Sequence, residues 1–412
     1  MKYLVKNITC NKKIESSENK KYIVSFPRLG NYVYPIYNML QRIIDKDKVT
    51  VIMPQKMTKK TIELGANSSP DFVCLPFKYN MGNFIESLEM GANFLIQAGG
   101  GCRYGYYAEV QEQILKDMGY SFTYVSLLEP EGIKVKKLYE KFKMLNKKLG
   151  FAKFAKEIIL AIRSINLLDE IETYIRDNYV YEVKKGSFDK IHKDFLERIG
   201  NVTNMYELLR LRKEFFKKVH NVKLNTKRDD IIKIGIIGEL YTSMEPFSSL
   251  FLEEELARLG AHVKRYTTVT YLLFEKSKSI KKHIKYANKY ISHALGADGT
   301  ETIAHALELI NKGYDGLIHI KPFGCTPEIN AMPILQKIAN ENEIPVMYLT
   351  FDAQSSRTGF LTRIEAFYDM LLMKKEKEKI SLKENKDNYN DKKKEDIKVN
   401  RKGELKLEYE LK

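Results

Sequence analysis

Three of the four cysteines in this 412-residue chain share a local setting. Cys74 lies in "DFVCLPFK", Cys102 in "QAGGGCRYGYYAEVQ" and Cys325 in "LIHIKPFGCTPE". Each follows a short apolar run and precedes a helical pattern, so each thiol is expected at a strand end where the chain turns into a helix. In an open parallel sheet that edge is where ligands bind. A helix N-terminus also favours a thiolate or another anion through its free N–H groups and dipole. Gly100 and Gly101 let the backbone come close to a bulky group, and Gly324 stands directly before Cys325. Lys78, Arg103 and Lys321 place a positive charge near each cysteine in turn.

Thiolates at such turns, with cations beside them, suit an anionic iron–sulfur cluster. The competing reading is structural, because a lone cysteine after a strand is usually part of the core. Spacing does not decide between them. The three cysteines are separated by 28 and 223 residues, unlike compact ferredoxin patterns. Zinc would usually need four Cys or His ligands at short local spacings, which are missing. Cys10 lies apart from this pattern.

The stretch "GELYTSMEPFSS" carries a second kind of group. Glu239 and Tyr241 follow an apolar strand and are expected at the same sheet edge as the cysteines. The Glu239 carboxylate could meet a ligand or tie down a loop N–H. Ser248 or Ser249 is suited to cap the next helix. His319 reads as a core residue of a strand, and His293 and His305 as members of polar helices. No phosphate-binding G-x-x-x-x-G-K-[ST] loop or G-x-G-x-x-G fingerprint occurs. No Ser–His–Asp or paired-carboxylate arrangement can be assembled.

These residues are positioned by an α/β pattern. Short β-rich runs such as "YIVSF", "NFLIQA", "IIKIGIIGE" and "PVMYLTF" alternate with helical stretches, as in a parallel sheet buried on both faces. Four segments follow: a first α/β subdomain (1–132), a helical basic insert (133–230), a second α/β subdomain (231–372) and a charged tail (373–412) expected to be disordered. The fold class is α/β, with two doubly wound, Rossmann-like parallel sheets. Cys102 and Cys325 each precede a strand by 20 residues, a weak internal echo.

The formal charge is +16, and it is unevenly spread. Lys134 to Asp230 holds 24 basic and 14 acidic residues. That excess suits a docking face for an acidic partner, a ligand's phosphates, or simply a solvated surface. Without a nucleic-acid motif or interleaved aromatics, nucleic-acid binding is not expected. No apolar run reaches membrane-spanning length, and the first residues do not resemble a signal peptide. With so few cysteines, a cytoplasmic protein is expected.

As a set, "CLPFK", "GGGCRYGYYAEVQ", "GELYTSMEPFSS", "HIKPFGCTPEINAMPIL" and "PVMYLTFDAQSSRTGFLTRIEAF" resemble the 2-hydroxyacyl-CoA dehydratase and benzoyl-CoA reductase family. The nearest branch is the one labelled CoA-protein activase or acyl-CoA dehydratase activase-related. The resemblance covers the two α/β segments. It implies an iron–sulfur component, [4Fe–4S] or larger, held between α/β subdomains by Cys74, Cys102 and Cys325, with Gly100, Gly101 and Gly324 at the turns. It also implies a separate ATP-hydrolysing activase that supplies a low-potential electron, a small substrate of the acyl-CoA kind, and a homodimer. Glu239, Arg103 and Lys321 are the expected catalytic groups, and lysines and arginines of the insert could contact the partner or a CoA phosphate. Because the nucleotide motif is missing, the ATPase must be another chain. The rival expectations are a non-catalytic carrier or scaffold for a cluster, and a metal-free binding protein.

Overall fold

The computed structural model describes residues 21–98, 107–127, 134–228 and 230–381. In the first half the chain runs β1 (Tyr22–Ser25), α1 (Val33–Ile43), β2 (Val49–Val51), α2 (Lys59–Ser68), α3 (Leu75–Glu89), β3 (Phe94–Gln97), α4 (Tyr107–Asp117) and β4 (Thr123–Ser126). These four strands form a parallel sheet in the order β2-β1-β3-β4. Val24 pairs with both Val51 and Phe94, so β1 is interior, and β3 is buried at every position. Burial on both faces is why the strands read as continuous apolar runs.

The middle of the chain is helical: α5 (Val135–Lys143), α6 (Phe151–Asn178), α7 (Ser187–Ile199) and α8 (Met205–His220). Phe142, Leu145, Leu149 and Phe154 pack into the core of the first sheet. Phe188, Phe195 and Phe215 form a further core that takes in Tyr32 from the first half and Met244 from the second. Arg42 of α1 meets Glu157 of α6 at 2.7 Å, and Tyr32 donates to Asp169 at 2.5 Å.

The second half continues β5 (Lys233–Gly238), α9 (Leu240–Met244), α10 (Leu252–Leu259), β6 (His262–Lys264), α11 (Val269–Phe274), α12 (Lys276–Tyr286), α13 (Gly299–Asn311), β7 (Gly316–Pro322), α14 (Thr326–Glu341) and β8 (Val346–Phe351). Its sheet is again parallel, in the order β6-β5-β7-β8. The two halves therefore share one strand order, which gives physical form to the echo between Cys102 and Cys325. A last helix, α15, spans 357–381 and seats Phe360, Ile364, Phe367 and Leu371 on the second sheet's core. It runs past 373, where the sequence pattern placed the tail's start. Lys375 is anchored there, donating to Asp315 at 3.0 Å and to the Ile231 carbonyl at 2.7 Å. Residues 382–412 lie outside the described residues.

The halves are joined through α2 and α3. Met57, Ile62, Leu75 and Tyr79 belong to the same core as Ile234, Ile318 and Leu349 of the second sheet. Tyr79 stacks on Tyr241 with ring centroids 6.2 Å apart, and the Gly30 amide donates to Glu245 at 2.6 Å. Among the described residues no helix is long and apolar enough to cross a membrane.

Candidate functional site

In each sheet the connections leave in opposite directions on either side of one pair of neighbours, β1/β3 and β5/β7. The crevice outside the carboxyl ends of such a pair is the usual ligand position of this architecture. In the second half, Glu239 follows β5 and Cys325 follows β7, so the two flank that crevice.

Cys325 is the N-cap residue of α14, with Pro327 in the first turn, where a missing N–H costs nothing. Its carbonyl accepts from the Ile329 amide at 2.9 Å. Gly324 makes the turn at φ +77°, a conformation that carries little strain only in glycine. The Cys325 thiol is half-buried, and burial, followed by the charge of Glu239, pushes its pKa well above the ordinary range. Lys321 is 5% exposed. Burial holds its amine below the usual lysine range, while Cys325 and Glu328 pull it the other way.

Cys74 is also an N-cap residue, of α3, with Pro76 in the first turn. No strand precedes it: residues 71–73 form a turn, which corrects the expected strand end. The short apolar run "FVCLPF" is the ambiguous kind that periodicity cannot assign, and its proline marks a helix start. The thiol is buried and meets the Tyr107 hydroxyl, whose ring packs edge-on to Phe77 at 5.0 Å. Tyr107 is the first residue of α4, where the chain returns from the loop that carries Cys102. Lys78 turns to its own loop and donates to the Asp71 carbonyl at 3.2 Å.

The cysteine loops of the two halves meet. A Cβ built on Gly324 would stand 3.8 Å from the carbonyl oxygen of Phe72, two residues before Cys74. Phe72 and Phe323 flank this junction with side chains 85% and 62% exposed. Gly100, Gly101, Cys102 and Arg103 fall outside the described residues, as does Cys10. Among the described residues no group of three or more His, Cys, Asp or Glu side chains could hold a metal ion.

Glu239 caps α9: it accepts from the Tyr241 amide at 2.9 Å, the Thr242 amide at 2.8 Å and the Thr242 hydroxyl at 2.7 Å. Burial, with Asp298 adding to it, nevertheless pushes its carboxyl up to about 7. Neither Ser248 nor Ser249 caps α10, whose N-cap is Phe251 at φ +63°; Ser249 instead donates to the Pro246 carbonyl at 3.3 Å.

Behind Glu239 and Cys325 lies an acidic group that sequence reasoning missed. Asp298 accepts from the Leu240 amide at 3.1 Å and pairs with Lys276. Glu301 is 4% exposed, sits 3.9 Å from Lys276, and neither of its carboxyl oxygens has a hydrogen-bond partner. Burial pushes it up to about 7. Glu328 is fully buried and accepts from Thr302 at 3.1 Å and from His319 at 2.7 Å. Its place at the third position of α14 was the one available signal, since acids there complement a helix N-terminus.

The histidines divide. His319 is a core residue, as expected. His305 does lie on a helix, α13, but is buried between Tyr266 and His283, and burial followed by His283 lowers it to about 4. His293 is exposed in a bend rather than on a helix.

No curated protein matches the chain. The family model described as 2-hydroxyglutaryl-CoA dehydratase, D-component, matches residues 134–371. That span takes in the helical segment and the second half, including Glu239, Lys321 and Cys325, and stops short of Cys74 and Cys102. Because it covers more than half of the chain, the protein belongs to the 2-hydroxyglutaryl-CoA dehydratase D-component family.

Proposed function

We propose that the chain is a dehydratase-type component whose Cys74, Cys102 and Cys325 hold an iron–sulfur cluster. The observation that carries this reading is the junction of the Cys74 and Cys325 loops, two thiols from different halves, each at a helix N-terminus. The donor chemistry fits: a bound cluster would supply one-electron chemistry, and metal coordination deprotonates a thiol that burial otherwise keeps neutral.

The chain's own groups have supporting parts to play. With a pKa near 7, Glu239 can carry its proton at neutral pH, which removes a negative charge from beside a Cys325 thiolate. Lys321 and Arg103 supply positive charge for an anionic species at the crevice, the acyl-CoA thioester being the substrate class proposed. The exposed Phe72 and Phe323 give an ATP-hydrolysing activase, a separate chain, an apolar surface beside the cysteines. A homodimer is part of the same proposal.

A carrier role is the second reading. It is favoured by a cavity of about 480 Å³ that no described residue of the Cys74 or Cys325 loop lines.

The test is anaerobic mixing of the reconstituted protein with an activase of this family, with and without ATP, followed by addition of a 2-hydroxyacyl-CoA. ATP-dependent bleaching of the visible absorption and loss of water from the thioester are expected. Bleaching without turnover across a series of such thioesters would favour the carrier. Failure to bleach with activase and ATP, while dithionite still bleaches, would overturn the electron-accepting role.

A further inference from the structure

The cavity of about 480 Å³ lies between the helical segment and the second half, walled by α6, α7, α9, α10 and β6. Its size falls in the range of small-molecule sites. Arg176 lines it, with a side chain only 9% exposed. The Arg176 Nε donates to Glu253 at 2.6 Å, but its Nη1 is buried without a hydrogen-bond partner. A buried guanidinium N–H left unpaired is costly, and an oxygen acceptor supplied by a ligand would remove that cost.

The charges around it narrow the ligand. Glu253 is shared by two guanidiniums, since Arg265, 6% exposed, also pairs with it. One carboxylate facing two arginines leaves a local positive charge. Of the other acids, Glu172 accepts from His192 at 3.0 Å and from Asn31 at 2.8 Å, and Asp189 accepts from Tyr179 at 3.1 Å, while Glu254 also lines the wall. Ile175, Met244, Phe251, Ala257 and Val263 supply apolar wall. A phosphate dianion would meet Glu254 and Asp189 across the cavity with twice the charge that a single carboxylate would bring.

We propose that this cavity binds a small monocarboxylate with a short apolar body, its carboxylate on Arg176 and its body against Met244, Phe251 and Ala257. Among the described residues the site shares none with the cysteine loops, and it does not depend on the function proposed above.

Calorimetric titration of the full-length protein with hexanoate tests it, with hexanamide and inorganic phosphate as comparison probes. Arg176→Met removes the donor, and Ala257→Met fills the cavity while leaving the Arg176–Glu253 pair in place. Saturable hexanoate binding is expected, with hexanamide about tenfold or more weaker, the effect of losing one charge-assisted hydrogen bond. Both variants should weaken hexanoate by a similar factor, about tenfold. If Arg176→Met fails to fold, Ala257→Met carries the test alone. No hexanoate binding at millimolar concentration, equal binding of hexanamide, stronger binding of phosphate, or unchanged binding by Ala257→Met would each overturn the proposal.

Discussion

At the scale of single residues, the acidic group behind Cys325 is the least ordinary feature of the second half. Glu301 is almost fully buried without a hydrogen-bond partner, and its carboxyl is raised to about 7. A carboxyl raised by folding holds its stabilising contribution below its unfolded value near 4.5, and loses it as pH rises through about 7. Glu301→Gln has no such loss. Relative to wild type, the variant's stability should therefore improve from pH 5 to pH 8, by at most about 3 kcal/mol. Urea unfolding of both proteins at the two pH values measures this, and an unchanged difference would contradict it. The cysteines could be picked out from the sequence because thiols are rare and stand beside glycine and proline. Asp298 and Glu301 could not, since acids at the start of a polar-looking helix ordinarily face water. Tertiary packing buries them, through α14, where Thr302 and Glu328 meet across 26 residues, and through Leu240 and Lys276.

At the scale of elements, the position of Cys74 rests on the crossing of α2 and α3. Gly65 and Gly82 let these helices touch: a Cβ on Gly65 would lie 1.7 Å from the Lys78 carbonyl oxygen, and one on Gly82 would lie 1.8 Å from that of Thr61. Backbone cannot yield as a flexible side chain can, so Gly82→Ala should cost about 3 kcal/mol or more. Gly313→Ala is the control, at φ +70° with open space around it, and should cost about 1 kcal/mol. Thermal or denaturant unfolding checks the order, and equal costs would contradict the close-crossing account. The interior strands β3 and β7 were legible because a parallel strand buried on both faces is a nearly continuous apolar run. The helix start at Cys74 was not, because "FVCLPF" is equally apolar as strand or helix. Phe251 in the left-handed region likewise has no sequence signal, and it displaced the serine caps expected for α10.

At the scale of the whole molecule, two sheets of identical strand order meet across α3, and the loop after β7 lies against Phe72 at the junction. That doubling was faintly legible in the equal spacing after Cys102 and Cys325. The junction itself was not, because Tyr79 on Tyr241 and Gly324 beside Phe72 are contacts between distant parts of the chain that no local pattern specifies. The basic excess of the helical segment was visible as composition. In the fold acids of the segment pair with its own bases, as in Arg198 with Glu214, Lys218 with Asp194 and Arg212 with Glu170, which leaves the excess itself in place. A metal centre built from both halves is the central claim. Its most direct test is iron and acid-labile sulfide per chain in anaerobically purified protein, beside Cys74→Ala, Cys102→Ala and Cys325→Ala. The account predicts about four irons with matching sulfide in the wild type, as for one [4Fe–4S] cluster, and a marked loss in each folded variant. Negligible iron after anaerobic reconstitution, or full iron in all three variants, would contradict it.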